Sequence, residues 1–275
     1  SLLSQLKHDN IVSYYACKYD KSNKKGLLSR GRRPYAYGCR RSTQPKSQVM
    51  IIQELCSRGD LFANVARYGA MPTAVATHYF RKLMRAILHM HANRICHRDI
   101  KLENLVFTRK WKLKVCDFGH AMAWEEDETP YAKQCYGTER YRLPEVHSLH
   151  RRHRAGDSAE AHSYDPRSSD VWAACVVFFE LLMGYPPFTT PSATDDWYFH
   201  KIANGMWDKF WAQHEKTCKK QGSSLAAKLT PQMKAFFQVA FQVDSTSRPS
   251  ILDLLKHEYL ATKDDGSPCT MQNPT

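Results

Sequence analysis

The sequence predicts an α+β fold in which a small β-rich part precedes a larger, mostly helical part. Two runs rich in β-branched and aromatic residues, at 11–17 and 48–54, have the composition and length of strands. From Pro72 onward apolar residues recur with helical spacing, and the run 170–183 is apolar on all sides, as expected of a helix at the centre of a domain. The chain has 275 residues, 43% of them hydrophobic, which is enough to bury a sizeable core.

The first long helix is predicted between Pro72 and about His91. Proline suits the first turn of a helix, where its missing N–H is not needed. The apolar side chains expected on one face are Val75, Tyr79, Phe80, Leu83, Met84, Ile87 and Leu88. The later predicted elements are a short strand at 111–116, helices at 231–241 and 251–259, and a polar tail at 261–275.

Much of the positive charge lies between the two predicted strands. The formal net charge is +13, and nine of the basic residues fall within 21–47, where no acidic residue occurs. A basic excess suits a nucleic-acid partner, but the aromatic residues of this segment are only Tyr35 and Tyr37, and no nucleic-acid-binding motif surrounds them. We therefore expect a solvated insertion or docking segment and no nucleic-acid partner. A second basic cluster, at 150–154, is also expected to be a solvated insertion.

Cysteine usage and hydropathy indicate the cytoplasm or the nucleus. The nine cysteines form no C-x-x-C pair, which disfavours a zinc ribbon and a disulfide framework and favours a reducing compartment. The longest apolar run, 171–183, is interrupted by Glu180 and is shorter than the ~20 residues that cross a bilayer. We therefore expect no membrane span.

Several motifs occur in a fixed order along the chain. H-R-D-I-K-L-E-N at 97–104 follows the first long helix, and D-F-G at 117–119 ends the predicted strand. G-T-E-R-Y-R-L-P-E at 137–145 and D-V-W at 170–172 come next. The series resembles the catalytic core of the eukaryotic protein kinases of the Ser/Thr type, and in style it is similar to the calcium/calmodulin-dependent and AMP-activated branch. The resemblance extends from the start of the chain to about residue 260.

The resemblance implies a two-lobed kinase fold with a truncated, β-rich N-lobe and a mostly helical C-lobe. The implied parts are a remnant of the N-lobe at 1–54 with the basic insertion at 21–47, a hinge at 55–60, the C-lobe at 61–260 and the polar tail at 261–275. The resemblance also implies an ion pair between Glu145 and Arg248.

The resemblance further implies ATP and Mg²⁺ as cofactors and assigns catalytic roles. Asp99 would accept the proton of a substrate hydroxyl, and Lys101 would contact the transferred phosphate. Asn104 and Asp117 offer the oxygen ligands that Mg²⁺ prefers. Thr138 would bridge Asp99 and Lys101. The implied reaction is transfer of the γ-phosphoryl group of ATP to Ser/Thr hydroxyls of protein substrates.

The same resemblance implies a nucleotide pocket. Backbone groups of Glu54 and Cys56 would bind adenine, Asp60 would contact the ribose, and Val106 would form the apolar floor. The implied cofactor-binding residues are Glu54, Cys56, Asp60, Lys101, Val106 and Asp117. Cys116, directly before Asp117, is either a reactive thiol in this pocket or, given its apolar neighbours, an inert one.

The resemblance also concerns substrate choice, through two further acidic residues, and regulation, through the activation segment at 117–145. Glu103 and Glu180 match carboxylates that pair with a substrate arginine in basophilic kinases, which implies substrates with basic residues near the acceptor. In many relatives a phosphothreonine pairs with the arginine of H-R-D, here Arg98, but Gln134 stands at its position. The candidate substitutes are phosphorylated Thr129, phosphorylated Tyr131 and the acidic run 125–128.

Three alternatives accompany the kinase interpretation. The family's glycine-rich loop, V-A-I-K lysine and partner glutamate would precede residue 1, so we expect a fragment of an active kinase with little activity alone. A degenerate, scaffold-like kinase fold is the second interpretation, but the catalytic motif residues are all present, which favours activity. A small-molecule phosphotransferase is disfavoured because the G-T and P-E segment typical of protein-substrate kinases is present.

Overall fold

The structure of the chain is a computed structural model. It describes residues 2–20, 48–126, 128–154, 163–221 and 223–260. The predicted basic insertion at 21–47 and the predicted tail at 261–275 lie outside the described residues. None of the helices in the described ranges is both long and apolar enough to cross a lipid bilayer.

The first part of the chain forms an antiparallel β-hairpin. Its strands are β1 (Tyr14–Asp20) and β2 (Gln48–Gln53). The first strand starts later than the predicted run 11–17, because Ile11 and Val12 are buried and their backbones pair with Val115 instead of with the second strand. The N–H of Val12 donates to the carbonyl of Val115 at 3.0 Å. This short connection attaches the hairpin to the rest of the fold.

Two helices follow the hairpin, four short strands come next, and helices then follow to the end of the described chain. The strands are β3 (Ile95–Cys96), β4 (Leu105–Phe107), β5 (Leu113–Val115) and β6 (Met122–Ala123), and β3 pairs with β6 and β4 with β5, both antiparallel. The helices are α1 (Leu61–Tyr68), α2 (Thr73–Ala92), α3 (Pro144–Arg154), α4 (Pro166–Met183), α5 (Trp197–Ala203), α6 (Trp207–Gln221), α7 (Ser223–Ala226), α8 (Pro231–Ala240) and α9 (Ile251–Lys256). The predicted α+β class, with a small β-rich part first, is confirmed.

Three predicted elements differ from those observed. Strand β5 begins later than predicted because Trp111 has a φ of 58°, a turn conformation that ends regular pairing. Helix α9 ends at Lys256, and a separate 3₁₀ turn carries Tyr259. The basic cluster 150–154 is the last part of α3 and not a separate insertion, since the helix continues from Leu149, which is buried.

Helix α4 lies at the centre of the helical part, as the sequence predicts. Asp165 caps its N-terminus, and Gly184 ends it with a φ of 78°, which favours glycine. The ring of Phe178 stacks on Phe80 of α2 with 4.2 Å between centroids, and most of the helix is buried. Its buried charged residues are Asp170 and Glu180. Because burying a charge is costly, both carboxylates need partners.

The predicted ion pair between Glu145 and Arg248 joins α3 to the segment before α9. Arg248 donates to both oxygens of Glu145, at 2.6 and 2.7 Å, and its guanidinium lies 5.5 Å from the centroid of the Trp172 ring. We expect Arg248→Ala to lower the free energy of unfolding by about 3 kcal/mol, because the side chain is buried and its carboxylate partner is left unpaired. Urea denaturation measures the loss. The control Arg167→Ala removes an exposed pair with Asp165 and should cost under ~1 kcal/mol, so equal losses would contradict the expectation.

A buried histidine predicts acid sensitivity of the helical part. His214 lies among aromatic rings, its Nδ1 is 3.3 Å from the hydroxyl of Tyr185, and burial lowers its pKa to about 3. The unfolded chain takes up this proton near the ordinary pKa of 6.5, whereas the folded chain does not until about 3. Stability is therefore complete above pH 6.5 and is lost as the pH falls, by about 2 kcal/mol between pH 7 and 5.

We expect the variant His214→Phe to lose about 2 kcal/mol less than the wild-type chain over this pH interval, since phenylalanine suits the aromatic surroundings and takes up no proton. Urea denaturation at pH 7 and pH 5 gives both differences. Parallel losses in the two proteins would show that other groups account for the acid sensitivity.

Candidate active site

The loop 97–104 connects β3 to β4, and hydrogen bonds to Asp170 of α4 fix its backbone. The fully buried carboxylate of Asp170 accepts the N–H of Arg98 at 2.7 Å and the N–H of His97 at 2.9 Å. Arg98 has a φ of 64°, an uncommon conformation for a residue with a side chain. Sequence reasoning used Asp170 only as part of a motif, although an aspartate at the start of a long apolar run is a signal for such a role.

His97 ties this loop to the segment that carries Asp117. Its ring is fully buried, with Nε2 at 2.9 Å from the carbonyl of Cys116, and it packs edge-on against Phe118. Burial lowers the pKa of His97, so the ring is neutral. The histidine of the motif is therefore a structural connection between two site segments.

Asp99 is the centre of a compact hydrogen-bonded cluster. Its Oδ2 accepts from Lys101 Nζ at 2.7 Å and from Asn104 Nδ2 at 3.1 Å. Its Oδ1 accepts from the backbone N–H of Thr138 at 3.2 Å and from the Thr138 hydroxyl at 3.3 Å. The side chain is almost completely buried. These donors fix the carboxylate orientation and stabilise its charge.

Thr138 bridges Asp99 and Lys101, as predicted. Lys101 Nζ donates to Thr138 Oγ1 at 3.1 Å, so the three side chains form a closed set of contacts. Gly137 makes the approach possible, because it has a φ of 91° and a Cβ there would lie 3.0 Å from the carbonyl oxygen of Arg98.

Asn104 and Asp117 lie side by side at the ends of β4 and β5. The N–H of Cys116 donates to the carbonyl of Asn104 at 2.9 Å, which places the next residue, Asp117, beside the loop. Asp117 is exposed, has a φ of 63° and accepts only the N–H of Gly119, at 3.2 Å, among the contacts of the described residues. Asn104 uses its amide N–H₂ toward Asp99, so its amide oxygen is left for a ligand. This carboxylate and amide oxygen fit Mg²⁺, which prefers oxygen ligands.

The predicted adenine edge is held by a lysine that sequence reasoning missed. Glu54 accepts from Lys114 Nζ at 2.8 Å and from the N–H of Ser13 at 3.1 Å. Burial acts to raise the pKa of Glu54, but these bonds outweigh it and hold the pKa below its usual value. The sequence signal for this ion pair was Lys114 in the apolar strand L-K-V, because a buried lysine needs an acidic partner nearby.

Two other predicted nucleotide residues, Asp60 and Val106, lie next to each other. Asp60 caps α1 by accepting the N–H of Ala63 at 2.7 Å, and its backbone pairs with that of Val106. Burial, followed by the charge of Asp117, raises the pKa of Cys116 to about 12, with smaller contributions from Cys56 and Asp60. The high pKa favours the inert alternative for the Cys116 thiol.

The two predicted substrate carboxylates differ in accessibility. Glu103 is exposed at the surface of the catalytic loop. Glu180 is only 3% exposed, and both of its oxygens already have partners: Tyr141 Oη at 2.7 Å and Arg140 Nη1 at 3.2 Å. The chain itself therefore supplies a cation to Glu180, and the pairing of Glu180 with a substrate arginine stays a prediction.

Of the acidic run 125–128, the described residues Glu125, Glu126 and Glu128 form no ion pair with Arg98. Glu126 pairs with Arg94 at 3.3 Å instead. The guanidinium of Arg98 lies 4.6 Å from the ring centroid of Tyr136, and its Nε donates to the carbonyl of His120 at 2.7 Å. In the described residues Arg98 is thus held by a ring and a carbonyl and by no carboxylate.

One group of metal-ligating atoms outside the catalytic cluster is structural. Within the described ranges His91, Cys96 and Asp170 bring three such atoms within 4.8 Å of one another. His91 is hydrogen-bonded to Asp170 at 2.9 Å, and the same carboxylate holds the catalytic loop. Burial raises the pKa of Cys96 far above its usual range, so the thiol stays protonated. This group is therefore part of the support under the loop.

Comparisons with known proteins agree with the motifs. The family model of the protein kinase domain matches residues 1–260. The chain is 36% identical over 143 residues to CBL-interacting serine/threonine-protein kinase 7 of Arabidopsis thaliana, which covers 52% of the chain and 30% of that protein. It is 30% identical over 234 residues to CBL-interacting serine/threonine-protein kinase 13 of the same plant, covering 85% and 40%. It is 29% identical over 214 residues to serine/threonine-protein kinase PLK1 of Xenopus tropicalis, covering 78% and 30%.

The chain spans about a third of the length of these curated relatives. The family match covers nearly all of the described residues, and the resemblance to the Ser/Thr kinases that the motifs indicated is confirmed. The chain belongs to the protein kinase domain family and has its two-lobed α+β fold.

Proposed function

We propose that the protein transfers the γ-phosphoryl group of ATP to serine and threonine hydroxyls of protein substrates. The observation that carries the proposal is the cluster of Asp99, Lys101 and Thr138 beside Asn104 and Asp117. A carboxylate, a cation and two oxygen ligands within one small volume are the groups that in-line phosphoryl transfer requires.

Each residue has a defined task in this reaction. Asp99, held by donors on both oxygens, orients the substrate hydroxyl and accepts its proton as the oxygen attacks phosphorus. Lys101 carries a positive charge beside this carboxylate and stabilises the negative charge of the transferred phosphoryl group. Thr138 contacts both Asp99 and Lys101 and so fixes their relative position. The chemistry therefore depends mainly on positioning and charge.

Asn104 and Asp117 would hold Mg²⁺. The ion, when bound, neutralises negative charge on the phosphates of ATP. The exposed position of Asp117, with few contacts of its own, suits a group whose main partner is a ligand. Backbone groups of Glu54 and Cys56 would bind adenine, with Asp60 at the ribose and Val106 under the base.

We assign residues 1–54 to the smaller lobe, 55–60 to the hinge and 61–260 to the larger lobe. The hairpin of the smaller lobe exposes apolar side chains: Tyr15, Met50, Ile51 and Ile52 are each more than 40% exposed. A two-stranded hairpin with an uncovered apolar face is marginally stable in water. We propose that further strands of the encoded protein cover it, as in an intact kinase N-lobe.

Substrates and compartment are inferred from charge and thiols. Exposed Glu103 offers a carboxylate to a basic residue of a protein substrate near the acceptor. All seven cysteines in the described residues are free thiols, which supports a reducing compartment, and we propose the cytoplasm.

The full-length encoded protein is expected to phosphorylate Ser/Thr peptides in a Mg²⁺-dependent reaction. Asp99→Asn should lower kcat by about 10²–10⁴-fold, because the proton acceptor is lost, and Asp117→Ala should abolish metal-dependent turnover. Incorporation of radioactive phosphate measures both. The matched control Asp208→Asn changes an exposed carboxylate in the first turn of α6 and should leave turnover unchanged. Full activity of Asp99→Asn, or none in the wild type, would favour the scaffold interpretation.

Thiol labelling tests the environment of the proposed nucleotide site. At pH 7.5 Cys116 should react with iodoacetamide more than tenfold more slowly than exposed Cys17, because a pKa of about 12 leaves almost no thiolate. Mass spectrometry of tryptic peptides gives both rates. In urea, where the burial is lost, the two rates should become similar. Fast labelling of folded Cys116 would contradict the described environment.

A further inference from the structure

Glu180 is a buried carboxylate in the apolar helix α4, where it contacts the 3₁₀ turn Glu139–Tyr141. Its side chain is 3% exposed, and burial raises its pKa to about 7. The negative charge of Glu103 makes a smaller contribution in the same direction. A buried carboxylate of this kind is ionised only with a cationic partner, and a cation that reaches it gains a strong, charge-assisted hydrogen bond.

The cation that reaches Glu180 in this chain is its own Arg140. Arg140 Nη1 donates to one carboxylate oxygen at 3.2 Å, and Tyr141 Oη donates to the other at 2.7 Å. Both donors belong to the 3₁₀ turn Glu139–Tyr141, which directly follows Thr138. One short segment, from Thr138 to Tyr141, therefore contacts both Asp99 and Glu180.

The side chain of Arg140 can be displaced or removed without disrupting the packing of the core. Its side chain is 39% exposed, whereas Tyr141 is buried and packed. A substrate arginine that approached Glu180 would have to displace Arg140 or lie beside it, and two guanidinium groups in a partly dry site repel each other. A bidentate pair between a substrate arginine and Glu180 is also excluded, because Tyr141 already donates to the second carboxylate oxygen.

We infer that Arg140 is a specificity-determining residue that satisfies Glu180 from within the chain, so that the substrate residue opposite Glu180 is uncharged and arginine is disfavoured there. This inference rests on the proposed function, since it concerns the substrate of the same site. The preference for a basic residue at Glu103 is separate, because that carboxylate is exposed and has no ion-pair partner among the described residues.

The test measures peptide binding to the full-length encoded protein without ATP. Fluorescein-labelled serine peptides carry arginine in place of alanine at one position before the acceptor, with the position varied, and fluorescence anisotropy gives each Kd. At one position, Arg140→Ala should improve binding of the arginine peptide about tenfold relative to the alanine parent, since Glu180 is then open. At a peptide position that contacts Glu103, arginine should be favoured over alanine to the same extent in the wild-type protein and in Arg140→Ala.

Three comparisons decide the outcome. The gain should disappear in the double variant R140A/E180Q, and the control Arg151→Ala, which breaks a surface pair with Asp195, should bind all peptides as the wild type does. If Arg140→Ala does not fold, Arg140→Gln replaces it and removes the same charge. Equal arginine preferences in wild type and variant, a gain that persists without the Glu180 carboxylate, or no binding of any arginine peptide would overturn the inference.

Phosphate transfer to the same peptides separates this inference from the proposed function. If the wild-type protein binds the peptides with the expected pattern but transfers no phosphate, the proposed activity fails and the role of Arg140 stands. If it transfers phosphate but Arg140→Ala leaves the relative kcat/KM of arginine and alanine peptides unchanged, the activity stands and the role of Arg140 fails.

Discussion

The arrangement of the active site depends on the buried carboxylate of Asp170. It accepts two backbone N–H groups of the catalytic loop and a side-chain N–H of His91, so the cost of its burial is met by three donors. Without these bonds the uncommon backbone conformation of Arg98 would have little to maintain it. Asp99 follows directly, so its position relative to α4 is set by a helix that is itself held in the core.

A second constraint couples the catalytic carboxylate to the substrate side of the site. The segment from Gly137 to Tyr141 contacts Asp99 through Thr138 and Glu180 through its last two residues. Both carboxylates belong to elements fixed by Asp170 or by α4. A displacement of this short turn would therefore move the proposed base and the proposed substrate contact together.

The sequence predicted those parts of the site that local spacing determines. Asp99, Lys101 and Asn104 lie within one loop, and their contacts follow from a short motif, as does the long buried helix α4 from its apolar run. The pairing of Lys114 with Glu54 and of Arg140 with Glu180 joins residues far apart in the chain. Such contacts depend on tertiary packing, which periodicity does not encode. The resemblance identified Glu180 but did not indicate that Arg140 of the same chain would pair with it.

The surroundings of Arg98 show how neutral groups can replace a charge. A phosphate or acidic run would order the activation segment through Coulomb attraction, which salt and protonation weaken. Here the guanidinium lies against the ring of Tyr136 and donates to a backbone carbonyl. The nearby Tyr164 donates to the carbonyl of Gln134, at the position where relatives carry the phosphorylated threonine. Because neither the ring nor the carbonyl carries a charge, these contacts of Arg98 require neither a phosphorylated residue nor an acidic side chain as its partner.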